Sequence, residues 1–348
     1  MCGRTGCRRK SPPDRVGWGL GMTPAGAALL LAACIFGLVS GFNDGGNLLA
    51  SFASGRVITP RRGVALLLFA LPGAAVVGPR VAQTVGINII DLLAQGRSGF
   101  ISMIVVSLAV VLLSWRMSIP TSMTLALVGA MIGWAATGPH STIHWWGVGR
   151  ALIGMPISIV AGALLALGAY RAGLRLLGGL PHGEVTSLAR GQYLTAALQS
   201  FAYGANDLGK TVGLIAVAGA FVGMPLAFAG PLPVGAAFAS FLLGTLVGGW
   251  SLVERIGFGI VRLRPLQAMS AQLGSSVVVA ALAIAGAPVS TTQTINGGLV
   301  GVGLGVRASA VRWGTVRMIV ATWVVTLPLA LGVSAVLHAA LRAAGLAT

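Results

Sequence analysis

Two acidic residues lie in unusual surroundings, because each directly follows an asparagine inside an apolar stretch of the chain. These pairs are Asn43-Asp44 and Asn206-Asp207. An ionisable side chain within a membrane helix costs at least about 2.5 kcal/mol on insertion scales, so it is retained where a partner or a polar cavity receives it. We therefore predict that the four side chains bind a coupling ion or a substrate.

A second repeated element is rich in hydroxyls and begins with proline. Proline suits the first turn of a helix, and Ser or Thr beside it can cap free backbone N–H groups or donate to a ligand. A helix that starts inside the membrane also directs its positive dipole end into the cavity. Two such starts predict a cradle for an oxyanion. The candidate substrate-binding side chains are Ser122, Thr124, Ser290, Thr291 and Thr292.

Lys210 breaks the similarity between the two acidic motifs. It lies three residues after Asp207 and four after Asn206, and such residues share a helix face. One interpretation is an interfacial lysine whose stem is buried and whose amine reaches water. The other is that Lys210 faces the cavity and either neutralises Asp207 or contacts an anionic substrate. The matching residue of the first motif is Asn47, which joins the candidate ligands of the coupling ion or substrate.

The composition excludes a soluble protein. Of 348 residues, 56% are hydrophobic and 8% are charged, with a mean hydropathy of +0.91, whereas globular proteins carry roughly 25% charged residues. The apolar runs are continuous rather than alternating, which excludes an outer-membrane β-barrel. The net charge of +17 comes from scattered arginines, which fits basic cytoplasmic loops better than nucleic-acid binding. The prediction is an all-α polytopic membrane protein.

The chain divides into two apolar halves. Residues 1–21 form a polar basic tail, and we expect the native chain to start at Met22. The first membrane unit is 22–170, a polar linker covers 171–190, and the second unit is 191–348. Ten apolar stretches, some long enough to be pairs, predict ten to twelve helical segments. They lie at about 25–55, 63–78, 100–115, 120–137, 147–170, 191–222, 226–249, 270–286, 288–305 and 315–341.

Four sequence matches between the halves, in the same order and at offsets of 163 to 171 positions, indicate an internal duplication. Each match alone is weak, but the nearly constant offset makes chance a poor explanation. The pairs begin at Gly41 and Gly204, Val85 and Ile256, Pro120 and Pro288, and Trp146 and Trp313.

These motifs resemble those of the inorganic phosphate transporter family of the PiT type, in its bacterial low-affinity form. The segments FNDGGN and FAYGANDLGKTVG are similar to the two copies of the family signature, and PTSMTLALVGAMIG and APVSTTQTINGGLVGVG to its paired Ser/Thr segments. The resemblance covers roughly residues 25–335. It implies two inverted repeats with discontinuous half-helices, and phosphate held near the midplane, coupled to Na⁺ or H⁺ and moved by alternating access.

Several residues depart from the family pattern. Met123 stands where the second half has Thr291, and Leu125 and Gln293 replace a histidine that is frequent in the family. Lys210 replaces the more frequent asparagine. A lysine beside Asp207 could occupy one cation site, which favours proton coupling or fewer ions per cycle.

The alternatives are a sulfate or other oxyanion permease of the same fold and, further away, an anion channel. Phosphate can donate a hydrogen bond to a carboxylate whereas sulfate cannot, so paired acids favour phosphate. Motifs for nucleotide binding or covalent catalysis are missing from the sequence, so we predict no enzyme. No cofactor or metal is expected beyond bound Na⁺. The expected location is the inner (plasma) membrane, with phosphate, the coupling cation and lipid as partners; a homodimer is left open.

Overall fold

A computed structural model describes residues 23–55, 57–117, 121–138, 143–177, 185–256 and 263–346. The predicted tail 1–21, Pro120, the central part of the linker (178–184) and most of the match at 256–260 lie outside these residues. The described chain is almost entirely helical, apart from an isolated bridge between Ile90 and Ile143. The all-α prediction is confirmed.

The described residues of the first half form eight α-helices. A π-helical turn, Gly41–Gly45, joins α1 to α2, and a second one, Thr84–Asn88, follows α5. A short 3-10 turn, Leu67–Phe69, joins α3 to α4. The helices are α1 (Pro24–Ser40), α2 (Gly46–Ser54), α3 (Pro60–Leu66), α4 (Ala70–Val76), α5 (Gly78–Gln83), α6 (Gly96–Arg116), α7 (Met123–Thr137) and α8 (Trp145–Leu177).

In the part of the second half that the structure describes there are six α-helices. Its π-helical turn, Gly204–Leu208, joins α9 to α10, and a 3-10 turn, Ala308–Ala310, precedes α14. The helices are α9 (Val185–Tyr203), α10 (Gly209–Phe221), α11 (Pro231–Ile256), α12 (Pro265–Ile284), α13 (Thr291–Val306) and α14 (Trp313–Ala343).

Within the described residues, six helices are long and apolar enough to cross a membrane, and a pair bent by 61° at Val77 raises the number to seven. Helices and helical turns that follow one another without a break can also be counted together as one helical body. The described residues then form eleven helical bodies, which lies within the predicted ten to twelve helical segments. Two of these bodies, α7 and α13, have 15 and 16 residues. At about 1.5 Å per residue they reach roughly 23 Å, less than the ~30 Å hydrocarbon core. They are therefore too short to cross the core as straight helices, as expected for the half-helices that the resemblance implies.

The body at 78–88, formed by α5 and the π-helical turn after it, was not among the ten predicted stretches. It carries Pro79, Arg80, Gln83 and Asn88, which lower its hydropathy below that of its neighbours. Its inner face is nevertheless buried, since Val81, Ala82 and Val85 are among the core residues. The prediction missed a short helix that has one face buried in protein and polar side chains elsewhere.

The two halves repeat the same order of elements. The π-helical turn with Asn43-Asp44 matches that with Asn206-Asp207, and α6, α7 and α8 correspond to α12, α13 and α14. The tryptophan match corresponds to the starts of α8 and α14. The helices of the two halves thus follow the same order as the duplicated sequence motifs. The inverted orientation of the two halves stays a prediction.

Each half packs its π-helical turn against a helix of the other half. A Cβ added at Gly41 would collide with the backbone carbonyl of Phe241 in α11, and one added at Gly204 would collide with that of Ala70 in α4. Small residues permit such backbone contact between membrane helices. The short helices show the same pattern. Helix α7 of the first half packs on α14 of the second half, and α13 of the second half packs on α8 of the first half. The buried centre therefore lies between the halves.

Large apolar side chains cover the outside of the long helices. Exposed examples are Ile153 and Leu164 on α8 and Val324 and Val336 on α14. With water outside, so many exposed apolar side chains would be unfavourable; in a bilayer they contact lipid. The chain is a multi-pass membrane protein.

Candidate functional site

The two Asn-Asp pairs lie in π-helical turns, which widen a helix locally and occur frequently at functional sites. The exposed fraction is 4% for Asp44 and 3% for Asp207, so neither carboxylate faces lipid. Asn43 and Asn206 are buried with them. The structure thus brings all four predicted side chains into the protein interior.

The starts of α7 and α13 meet in the same region. Ser122 and Ser290 are the N-caps: Ser122 Oγ accepts from Leu125 N at 3.2 Å, and Ser290 Oγ accepts from Gln293 N at 3.4 Å. Both serines therefore cap and stabilise the starts of their helices. Thr124 Oγ1 donates to Val289 O at 3.1 Å and links the two starts.

The Asp44 carboxylate is held by neutral groups of both halves. Its Oδ1 accepts from Asn43 Nδ2 at 2.8 Å and from Thr292 Oγ1 at 2.9 Å, and its Oδ2 accepts from Ser40 Oγ at 3.5 Å. Asn47 Nδ2 donates to Thr292 Oγ1 at 3.3 Å and to Asn43 O at 3.2 Å. Asn47 is therefore a neighbour of Asp44 through a shared threonine.

The Asp207 carboxylate forms an ion pair instead. Lys210 Nζ lies 2.6 Å from Asp207 Oδ1, and Thr291 Oγ1 donates to Asp207 Oδ2. Lys210 Nζ also donates to Thr124 Oγ1 at 2.6 Å and to Val289 O at 3.0 Å. With an exposed fraction of 2%, Lys210 faces the protein interior rather than the membrane surface. The interfacial interpretation of this lysine is wrong.

Buried polar atoms that lack a protein partner lie on the residues next to Asp207 and Thr292 in the chain. Both side-chain polar atoms of Asn206 and the Oε1 of Gln293 are buried and lack a hydrogen-bond partner among the described residues. Buried polar groups are nearly always paired, so each such atom needs an explanation. A polar ligand or a water molecule would supply the missing partners.

Sequence reasoning missed a second polar cluster, between α2, α9 and α12. Ser51 Oγ donates to Gln199 Oε1 at 2.9 Å, and Gln199 Nε2 donates to Ser275 Oγ at 3.2 Å. Next to them, Thr195 Oγ1 donates to Gln272 Oε1 at 2.7 Å. The available signal was Gln192 and Gln199, seven residues apart on one face of an apolar helix.

This polar cluster is confined to one side of the site. At offsets of 163 and 168, the counterparts of Gln199 and Gln272 are Phe36 and Ile104, both buried in the apolar core. A polar and an apolar contact region therefore flank the centre. A search for repeated motifs could not find this cluster because it is not repeated.

The arrangement suits binding of an anion together with a cation. Helix starts supply N–H donors for an oxyanion, while carboxylate, amide and hydroxyl oxygens suit a hard cation.

Comparisons with known proteins agree with this chemistry. The profile of the phosphate transporter family matches residues 40–178 and 181–334. A probable low-affinity inorganic phosphate transporter of Rhizobium meliloti (strain 1021) is 33% identical over 332 residues, which cover 90% of this chain and 96% of the relative. One of Bacillus subtilis (strain 168) is 28% identical over 318 residues, covering 89% and 95%.

A solved structure described as the sodium-dependent phosphate transporter has the same fold. Its TM-score against this chain is 0.81, with 19% sequence identity, and the match covers 92% of this chain and all of that one. At this identity the likeness establishes the fold alone.

Proposed function

Because the chain belongs to the phosphate transporter family, we propose that it is a secondary transporter that carries inorganic phosphate across the inner (plasma) membrane together with a cation. The relatives are named as transporters rather than enzymes, in agreement with the sequence prediction. The named substrate of those relatives supports phosphate as the substrate here.

One observation carries this proposal: carboxylates from both halves meet the start of a single half-helix in the buried centre. Thr291 and Thr292 donate to Asp207 and Asp44, respectively. Phosphate that carries a proton can donate a hydrogen bond to a carboxylate, and its other oxygens can accept from helix N–H groups and hydroxyls. Sulfate lacks that proton at neutral pH, so it fits the paired acids less well.

The polar atoms of Asn206 and Gln293 that lack a protein partner support an anion site beside the carboxylates. An amide N–H₂ donates and an amide oxygen accepts, so Asn206 can contact a phosphate oxygen and a protonated phosphate hydroxyl. In this proposal Ser122 and Ser290 shape the helix starts, and their side chains act mainly as caps.

The packing of the short helix of each half on a long helix of the other half supports alternating access. Half-helix α7 rests on α14, and α13 rests on α8, so rocking of one pair against the other changes which side of the centre is closed. The coupling cation is H⁺ or Na⁺. Dependence on sodium is stated for the structural neighbour, and its donor chemistry is available here in Asp44 and Thr292.

The test is uptake of labelled phosphate by the purified full-length chain in proteoliposomes, driven by an inward Na⁺ gradient or by a proton gradient. We expect saturable, concentrative uptake that stops when the driving gradient is removed. Arsenate should compete strongly and sulfate weakly. Uptake of sulfate in preference to phosphate assigns the chain to the sulfate alternative, and flux that cannot be driven against a gradient indicates a channel.

A further inference from the structure

The ammonium group of Lys210 is fully occupied by protein acceptors. An ammonium has three N–H donors, and Lys210 Nζ contacts three oxygens: Asp207 Oδ1 at 2.6 Å, Thr124 Oγ1 at 2.6 Å and Val289 O at 3.0 Å. The arrangement commits every N–H of this side chain to the protein.

The same three oxygens are typical ligands of a small hard cation. A carboxylate, a hydroxyl and a main-chain carbonyl from three different elements converge on one point, which is how proteins bind such ions. We infer that the Lys210 ammonium permanently fills the cation position of the second half, so that the exchangeable coupling cation binds beside Asp44 in the first half only.

The first half supplies the comparison, since Asn47 corresponds to Lys210 and Thr292 to Thr124. Asn47 Nδ2 donates to Thr292 Oγ1 at 3.3 Å, just as Lys210 Nζ donates to Thr124 Oγ1. The geometry is similar, but Asn47 brings no charge. The hydrogen bonds that the described residues give Asp44 come from neutral groups.

Charge compensation then distinguishes the halves. Asp207 is neutralised by its own chain, whereas Asp44 needs a mobile cation, because an uncompensated carboxylate is costly within a membrane. This inference rests on the proposed function and deepens it: each cycle carries one cation fewer than it would with asparagine at both positions.

The decisive variant is Lys210→Asn, which gives the second half the same residue as the first. The ligand oxygens of Asp207, Thr124 and Val289 remain, so Na⁺ can replace the ammonium. In proteoliposomes at fixed pH, with choline replacing Na⁺, the slope of log uptake against log Na⁺ concentration should rise by about one relative to wild type. Arg97→Asn, which removes an exposed cation that donates to Phe221 O, should leave the slope unchanged.

Exchanging the residues at positions 47 and 210 gives a second test. Asn47→Lys alone should abolish cation-driven uptake, because both carboxylates are then neutralised. The double variant Asn47→Lys/Lys210→Asn should recover it with the wild-type slope, since one fixed and one mobile cation are restored. Failure of the exchange to recover uptake in a folded protein contradicts the inference.

A measurement without transport keeps the test decisive when Lys210→Asn is inactive. Na⁺ should raise the Tm of detergent-solubilised Lys210→Asn more than that of wild type, with choline as the reference. An equal Na⁺ effect on both proteins overturns the inference and leaves phosphate transport intact. Wild-type protein that takes up no phosphate under either gradient contradicts the proposed function instead.

Discussion

Thr291 and Thr292 are consecutive residues in the first turn of α13, yet their hydroxyls donate to carboxylates from opposite halves of the chain. Thr291 contacts Asp207, and Thr292 contacts Asp44 at 2.9 Å. The start of α13 therefore fixes both acids at once. The start of α7 cannot do the same, because Met123 occupies the position that corresponds to Thr291.

Thr292→Val should impair phosphate uptake while preserving the fold, since valine keeps the shape and loses the hydroxyl. A hydrogen bond to a charged group contributes about 1.5–3 kcal/mol, which corresponds to roughly a 10- to 100-fold change. Kinetics of labelled phosphate uptake measure the effect. Thr292→Ser should retain most activity. Thr322→Val, at a half-buried position on α14 where the hydroxyl donates to Met318 O, is the control, and equal activity of both valine variants contradicts the role of Thr292.

Asp44→Asn should abolish uptake driven by a cation gradient. Asparagine matches the size of aspartate but lacks the negative charge that receives the mobile cation. Initial rates in proteoliposomes should fall below roughly a tenth of wild type, as expected for loss of an interaction worth more than about 1.4 kcal/mol. Asp91→Asn removes a carboxylate that instead accepts from the backbone N–H groups of Leu93 and Ala94, and it should transport normally. Undiminished coupling in Asp44→Asn argues against this carboxylate as the cation site.

Gln199→Leu should lower thermal stability, because it removes the hydrogen bonds to Ser51 and Ser275 inside the bundle. Side-chain hydrogen bonds in membrane proteins contribute about 0.6 kcal/mol on average and up to about 1.7 kcal/mol. Unfolding in detergent measures the loss. Combining it with Ser275→Ala should cost less than the sum of the single changes, since both partners are then gone. Leu194→Ala, at an exposed position of the same helix, serves as a control, and strict additivity tells against a working network.

Gly204→Ala should destabilise the protein by about 1–3 kcal/mol, the usual effect of overpacking. Its added methyl group would collide with the backbone carbonyl of Ala70, so α4 or α9 must shift. The yield of monodisperse protein and its Tm report the change. Gly149→Ala offers a matched comparison in α8, where the Cβ meets open space; it should be neutral or slightly stabilising because alanine favours helix. Similar losses in both variants would point to a cause other than contact between the halves.

Most helix positions could be predicted, because lipid demands long apolar segments regardless of what they pack against. For example, the expected stretch 100–115 corresponds to α6, Gly96–Arg116. The bent segment around Arg80 and Asn88 could not be identified, since its inner face packs on protein while polar side chains lower its mean hydropathy. Burial in protein leaves a weaker compositional signal than burial in lipid.

The central residues were accessible to sequence reasoning because duplication made them stand out. Asp44 and Asp207 are rare acids in repeated motifs, and their threonine neighbours repeat with them. The individual pairings were not accessible: nothing in the spacing assigns Thr292 to Asp44 and Thr291 to Asp207. Gln199 was missed for the opposite reason, since its counterpart Phe36 is apolar and no repeat marks it.

The contact of Gly41 with Phe241 and of Gly204 with Ala70 has a consequence for biogenesis. During synthesis the amino-terminal half leaves the ribosome well before α11 exists, so Gly41 cannot yet reach its final neighbour. Until then the helix surface at Gly41 that later contacts Phe241 must face lipid or the insertion machinery. Folding therefore finishes only after most of the chain has been translated. Two separately produced halves would thus depend on meeting each other in the same membrane.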